Sequence, residues 1–296
     1  MSFTAVRPNV WIMAARPKTL GAAVAPVVVG TAMAVEAGVW HGPSAALALL
    51  GAVLIQVGVN YHNDYYDYLK GADTDDRVGP TRVTQAGLVD PDTMRRATIL
   101  VFATAVLAGL YLIWRGGWPV LAIGAASIAA AVAYTAGRYA LAYTGLADLF
   151  VFVFFGPVAV GGTYYVQALT LTPDVLLAGA GPGLLSVGIL LVNNIRDVDQ
   201  DRRAGKQTLV VRIGRRAAIG LYAACATGAL LLPVGLYAWT GQHPWAMLTG
   251  MLVPFVLPPV RTLRSTTDPA KLNPLLGATG RLLVLWAVLF AVGWNV

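Results

Sequence analysis

The stretch LLSVGILLVNNIRDVDQDRR (residues 184–203) changes character halfway along. Its first nine residues carry no charge, whereas its last eleven hold Asp197, Asp199 and Asp201, three arginines and the pair Asn193–Asn194. The apolar part belongs to a run, 174–192, long enough to approach the ~20 residues that cross a bilayer core. An apolar segment that ends in a dense acidic row predicts a membrane helix delivering carboxylates to one surface.

The rest of the chain supports that reading. Of 296 residues, 57% are hydrophobic and 12% charged, against about 25% charged in soluble domains; the mean hydropathy is +0.66. Nine spans are predicted, near 20–39, 44–60, 97–114, 118–136, 145–167, 174–192, 217–239, 244–260 and 280–295. Several contain proline (Pro26, Pro157, Pro182, Pro233, Pro254), which membrane helices tolerate. With the N-terminus in the cytoplasm, all but Arg115 of the 21 Lys and Arg residues fall on the cytoplasmic side, as the positive-inside rule requires. The expected architecture is therefore all-α and polytopic, with nine helices in one bundle, the C-terminus outside, and a single domain over 1–296. Its cytoplasmic motif segments lie at about 61–96 and 193–216. The basic residues flanking the first span (Arg7, Arg16, Lys18) precede no recognisable cleavage site, so that span is expected to be retained. The lone Cys225 excludes an internal disulfide and a cysteine metal site, and the net charge of +7 follows from topology without any role for nucleic acid.

The acids are unevenly distributed. Eight of the 14 Asp and Glu residues lie in 193–203 and in a second segment, NDYYDYLKGADTDDR (63–77). Asn63 and Asp67 are four apart, as are Asn193 and Asp197, with Asp201 four further on. Positions i and i+4 share a helix face, so each span, if it continues as a helix, presents a row of oxygen ligands. Two such rows repel unless a cation lies between them. Carboxylate and amide oxygens suit a hard divalent ion, and Mg²⁺ in particular combines one or two carboxylates with water and substrate phosphate. Arg77, Arg82, Arg202, Arg203 and Lys206 are interleaved with the acids, so the combination is suited to a diphosphate at the membrane surface. No GxxxxGK[ST] nucleotide loop is present.

These residues resemble the UbiA superfamily of intramembrane prenyltransferases, and within it the branch that prenylates 1,4-dihydroxy-2-naphthoate in menaquinone synthesis. The likeness rests on NDYYDYLKGADTDDRVGP (63–80), RPKTL (16–20), LADLFVFVFFGPVAVGGTYY (146–165) and the second acid row. The superfamily's usual first motif places an acid where this chain has Gly71; here the third acid is Asp73. The resemblance implies a nine-helix bundle in which Asn63, Asp67, Asp73, Asp197 and Asp201 hold Mg²⁺ and an isoprenyl diphosphate. It also implies substrate contacts from Asn194, Lys206 and Arg82, and from Tyr134 and Arg138 of YTAGR. Arg16 and Lys18 would either anchor the first span or bind the carboxylate of the aromatic acceptor.

The implied reaction is Mg²⁺-dependent transfer of a polyprenyl group to the naphthoate, with loss of diphosphate and CO₂, giving a demethylmenaquinone at the plasma membrane. Tyr65, Tyr66, Tyr68, Tyr134 and Tyr143 are candidates to face an allylic cation, and 64–96 and 196–216 to form a lid that excludes water. Alternatives are another acceptor (4-hydroxybenzoate, homogentisate) or, in a different class, a cation-coupled transporter. Transporters place acids near the bilayer midplane, whereas here only Glu36 and Asp148 lie in or near spans.

Overall fold

The computed structural model describes residues 8–69, 71, 81–135 and 140–296. Thirteen helices follow one another: α1 (Pro8–Ala15), α2 (Pro17–Glu36), α3 (Gly42–Leu69), α4 (Pro91–Gly116), α5 (Trp118–Thr135), α6 (Ala147–Phe155), α7 (Pro157–Ala168), α8 (Pro173–Ala178), α9 (Ala180–Arg203), α10 (Leu209–Ile213), α11 (Arg215–Thr240), α12 (Val253–Ser265) and α13 (Pro269–Trp294). Two 3-10 segments, Leu141–Tyr143 and Pro244–Leu252, join them, and no strand occurs among the described residues. Nine helical stretches among these residues are long and apolar enough to cross a membrane. α6–α7, α8–α9 and the second 3-10 segment with α12 each form one span, while α1 and α10 are too short to do so.

Local chemistry sets the helix boundaries. Proline occupies the first turn of α2, α4, α7, α8, α12 and α13, where its missing N–H is not needed. The Asp90, Thr208 and Asp268 side chains cap α4, α10 and α13 by accepting from Thr93 N (3.1 Å), Val211 N (3.3 Å) and Ala270 N (2.9 Å). The five prolines expected within spans all lie in them: Pro157, Pro182 and Pro254 sit in the first turns of α7, α9 and α12, and Pro26 and Pro233 are internal to α2 and α11. The break between α6 and α7 at Gly156 nests against that between α8 and α9, where a Cβ on Gly179 would lie 2.7 Å from Pro157 Cα.

The core is built on α2, α9, α11 and α13. Trp286, Phe290 and Trp294, spaced four apart on α13, stack at 5.0 and 5.1 Å, and Trp286 Nε1 donates to Ala229 O of α11 at 2.9 Å. That ring lies directly on α9: a Cβ on Gly181 would be 2.1 Å from it. The flanks of α4 and α5 are exposed and apolar (Leu100, Leu107, Leu121), as lipid contact requires. At the end away from the acid rows, Arg115 donates to the carbonyls of Val166 and Gln167 (3.0 and 3.1 Å), closing the C-terminus of α7. His243 lies 3.7 Å from Glu36 there. Trp40, Trp114, Trp118, Trp239 and Trp245 are exposed around the same connectors, an interfacial aromatic belt.

Candidate functional site

Both acid rows are helical. α3 continues through Asn63 and Asp67 to Leu69, and α9 through Asn193, Asp197 and Asp201 to Arg203. The two helix ends converge on one polar pocket of about 150 Å³, lined by Asn63, Asp67, Asn193, Asn194, Asp197 and Asp201. Arg16, Arg82, Tyr134, Tyr143, Asp148 and Lys206 complete its wall. An apolar cavity of about 970 Å³ adjoins it, and Arg16, Asn63, Tyr134 and Asn193 line both. Phe150, Phe154 and Phe155 of α6 line the apolar side.

Asp67, Asp197 and Asp201 each have a cationic partner. Asp67 is 8% exposed and ion-paired with the buried Arg82. Arg82 is brought there by Asp64, whose oxygens accept from Val83 N (3.2 Å) and Thr84 N (2.9 Å). Asp64, an acid of the first row, thus acts as a clamp on the following loop. Asp197 is gripped by Arg196, with Nε to Oδ1 at 2.7 Å and Nη2 to Oδ2 at 2.6 Å. The same guanidinium donates to Asn193 Oδ1 and to Asn273 Oδ1 of α13, both at 2.9 Å. Asp201 lies 3.5 Å from Lys206, whose ammonium stands 5.2 Å over the Tyr143 ring. Burial pushes the Tyr143 hydroxyl above its ordinary pKa, against the opposing pull of Lys206.

Arg16 enters the site through a turn. It is the N-cap of α2 in the left-handed region (φ 51°), and Asn60 Nδ2 fixes that turn by donating to Ala15 O (2.8 Å) and Thr19 Oγ1 (3.1 Å). Lys18 lines only the apolar cavity and is exposed. Asn63 accepts from Thr135 Oγ1 of α5. Of the five tyrosines considered for the allylic cation, Tyr134 and Tyr143 line the polar pocket. Tyr65, Tyr66 and Tyr68 line neither cavity; Tyr65 and Tyr66 pack edge-on at 5.2 Å. Asp73 and Arg138 lie outside the described residues. Sequence reasoning missed Asp148, which lines the polar pocket, Asn273, which lines the apolar cavity, and Arg196, which lines neither but holds Asn193 and Asp197. The signal available for Arg196 was a cation set next to a row acid, within helical reach of Asn193.

The donor set fits a hard cation. Every candidate ligand is a carboxylate or amide oxygen, and among the described residues no three His, Cys, Asp or Glu side chains form a metal cluster by themselves.

The fold and pocket define a multi-pass membrane protein with a polar, oxygen-lined chamber at one end of its bundle, opening into an apolar one. The sequence matches the UbiA prenyltransferase family over residues 23–275, and the chain belongs to that family; it is a prenyltransferase. It is 41% identical over 283 residues to the 1,4-dihydroxy-2-naphthoate octaprenyltransferase of Mycobacterium tuberculosis, covering 95% of each chain. Over 294 residues it is 37% identical to the Escherichia coli protein of the same name, covering 97% of this chain and 95% of that one. The fold matches a UbiA homolog from Archaeoglobus fulgidus bound to GPP and Mg²⁺ (TM-score 0.68, 13% identity, 95% and 99% of the two chains). It also matches the apo UbiA homolog from Aeropyrum pernix K1 (TM-score 0.70, 15% identity, 94% and 97%).

Proposed function

We propose that this protein transfers a polyprenyl group from its diphosphate to 1,4-dihydroxy-2-naphthoate, releasing diphosphate and CO₂ and giving a demethylmenaquinone. The observation that carries the reading is the junction of the polar pocket with the apolar cavity, which matches a substrate with an anionic head and a hydrocarbon tail. Relatives named for naphthoate prenylation at 37–41% identity support the acceptor.

In this reading Asn63, Asp67, Asp73, Asp197 and Asp201 hold Mg²⁺, with Asn194 beside them. When bound, Mg²⁺ supplies positive charge against the diphosphate oxygens. Arg82 and Lys206, paired with row acids, line the polar pocket and are the basic groups assigned to the phosphate oxygens. They stabilise the charge that develops as the C–O bond opens, and Arg138 has the same role. Phe150, Phe154 and Phe155 hold the tail away from water. The Tyr134 and Tyr143 rings face the allylic carbon, an arrangement that contributes ~0.5–2 kcal/mol. Arg16, at the junction, binds the acceptor carboxylate, with Lys18 at the cavity margin. The whole chain, 1–296, works as one membrane-embedded unit. The bias of Lys and Arg towards the pocket end supports a pocket open to the cytoplasm of a bacterial plasma membrane.

The test offers purified protein a labelled polyprenyl diphosphate, Mg²⁺ and a panel of aromatic acceptors, and reads product mass. Decarboxylated prenyl-naphthalenediol is expected. Turnover of 4-hydroxybenzoate or homogentisate in its place would refute the naphthoate assignment.

A further inference from the structure

One carboxylate of the polar pocket belongs to neither acid row. Asp148 stands in the first turn of α6, is 6% exposed and lines the pocket. Neither of its oxygens is hydrogen-bonded to another described residue; its own backbone N–H is close enough to steady it. Among the described carboxylates lining the pocket, Asp67, Asp197 and Asp201 each have a basic partner within 3.5 Å, and Asp148 does not. A buried acceptor left without a donor is destabilising, the more so when charged, so a ligand that supplies the donor gains correspondingly.

The position of Asp148 indicates which ligand. Val151 and Phe155, three and seven residues on, line the apolar cavity and lie on the same face of α6. The carboxylate is therefore the polar head of an otherwise apolar stripe, set where the two chambers meet. That boundary is where a ring must lie to reach the first carbon of a prenyl chain whose diphosphate is held by the acid rows. A hydroxyl on that ring is a donor without a charge of its own, which is what Asp148 lacks.

We propose that Asp148 accepts the hydroxyl proton of the aromatic acceptor during transfer. The inference rests on the prenyl-transfer reading above and names the group that handles the acceptor. As the ring carbon bonds to the prenyl C1, the C1–O bond breaks and its electron pair leaves with the diphosphate. The O–H electrons become the ring C=O, and the proton passes to a carboxylate oxygen of Asp148.

The experiment compares wild type, Asp148→Asn and Asp148→Glu in detergent, each with Mg²⁺, using an acceptor that the wild type turns over and its monomethyl ethers. Asp148→Asn is expected to lose ~10²-fold or more in kcat, the usual share of a general base, with geranyl diphosphate binding and thermal stability close to wild type. Asp148→Glu, which keeps the carboxylate, should retain more turnover than Asp148→Asn. A purely structural role would reverse that order, because Asn is the closer isostere. With the ether that blocks the contacted hydroxyl, Asp148→Asn should cause no further loss.

Turnover of Asp148→Asn within threefold of wild type would overturn the proposal. So would a fall in geranyl diphosphate affinity in step with turnover, which would make Asp148 a ligand of the diphosphate site, or full multiplication of the losses with both ethers. A wild type that prenylates none of the panel refutes the function itself, independently of the variants.

Discussion

Arg196 offers the sharpest test of how the second acid row is held. Its side chain is fully buried and makes two charge-assisted bonds to Asp197, itself 20% exposed, and one each to Asn193 and Asn273. Arg196→Met keeps the length and removes every donor. Stripping one partner from a buried ion pair costs ~3–5 kcal/mol; the exposed fifth of Asp197 puts the expected loss at the low end, about 3 kcal/mol. Neutralising both partners is much milder, so Arg196→Met/Asp197→Asn should be about 2 kcal/mol less destabilised than the sum of the single variants, within the range for residues in contact. Reversible unfolding in mixed micelles measures all four corners of the cycle. Additivity within ~0.5 kcal/mol, the behaviour of independent sites, would show that Arg196 does not hold Asp197.

Asp67→Ala and Asp197→Ala should each lose ~10²-fold or more of Mg²⁺-dependent transfer while staying folded; full activity in either would mean the diphosphate binds elsewhere. In both variants the stabilisation by saturating prenyl diphosphate and Mg²⁺, about 2.7 kcal/mol at a hundredfold excess over Kd, should vanish from thermal unfolding curves. Gly181→Ala sets a methyl 2.1 Å from the Trp286 ring and should destabilise by ~1–3 kcal/mol, as overpacking does, with recovery in Gly181→Ala/Trp286→Leu. Arg16→Gln should raise the acceptor KM several-fold with little change for the prenyl diphosphate, and Lys18→Gln should do less; equal effects on both substrates would remove Arg16 from the acceptor site.

The spans and the acid rows were legible because each depends on a short-range period. Bilayer thickness fixes an apolar run, and helix pitch puts Asn193, Asp197 and Asp201 on one face. The extension of α3 to Leu69 was equally readable from Asn63 and Asp67. What escaped depends on partners far apart in the chain. Arg196 looks like a positive-inside residue until α13 brings Asn273 to it across 77 positions. Asp64 is one acid among several in its segment, and its role shows only where Val83 and Thr84 offer it two backbone N–H groups. Tyr65 and Tyr66 share a segment with Asp67 but leave the helix on other faces, so proximity in sequence misplaced them. Asp148 read as an isolated acid in a span; only the packing of α6 shows that it faces the pocket.

The pairing of Asp67, Asp197 and Asp201 with Arg82, Arg196 and Lys206 has a consequence for handling the protein. Proteins whose ligand acids rely on a divalent ion for neutrality come apart when it is stripped. This one carries its counterions on its own chain, so chelator should silence it without melting it. Substrate loading then becomes an exchange of partners rather than an assembly of charge.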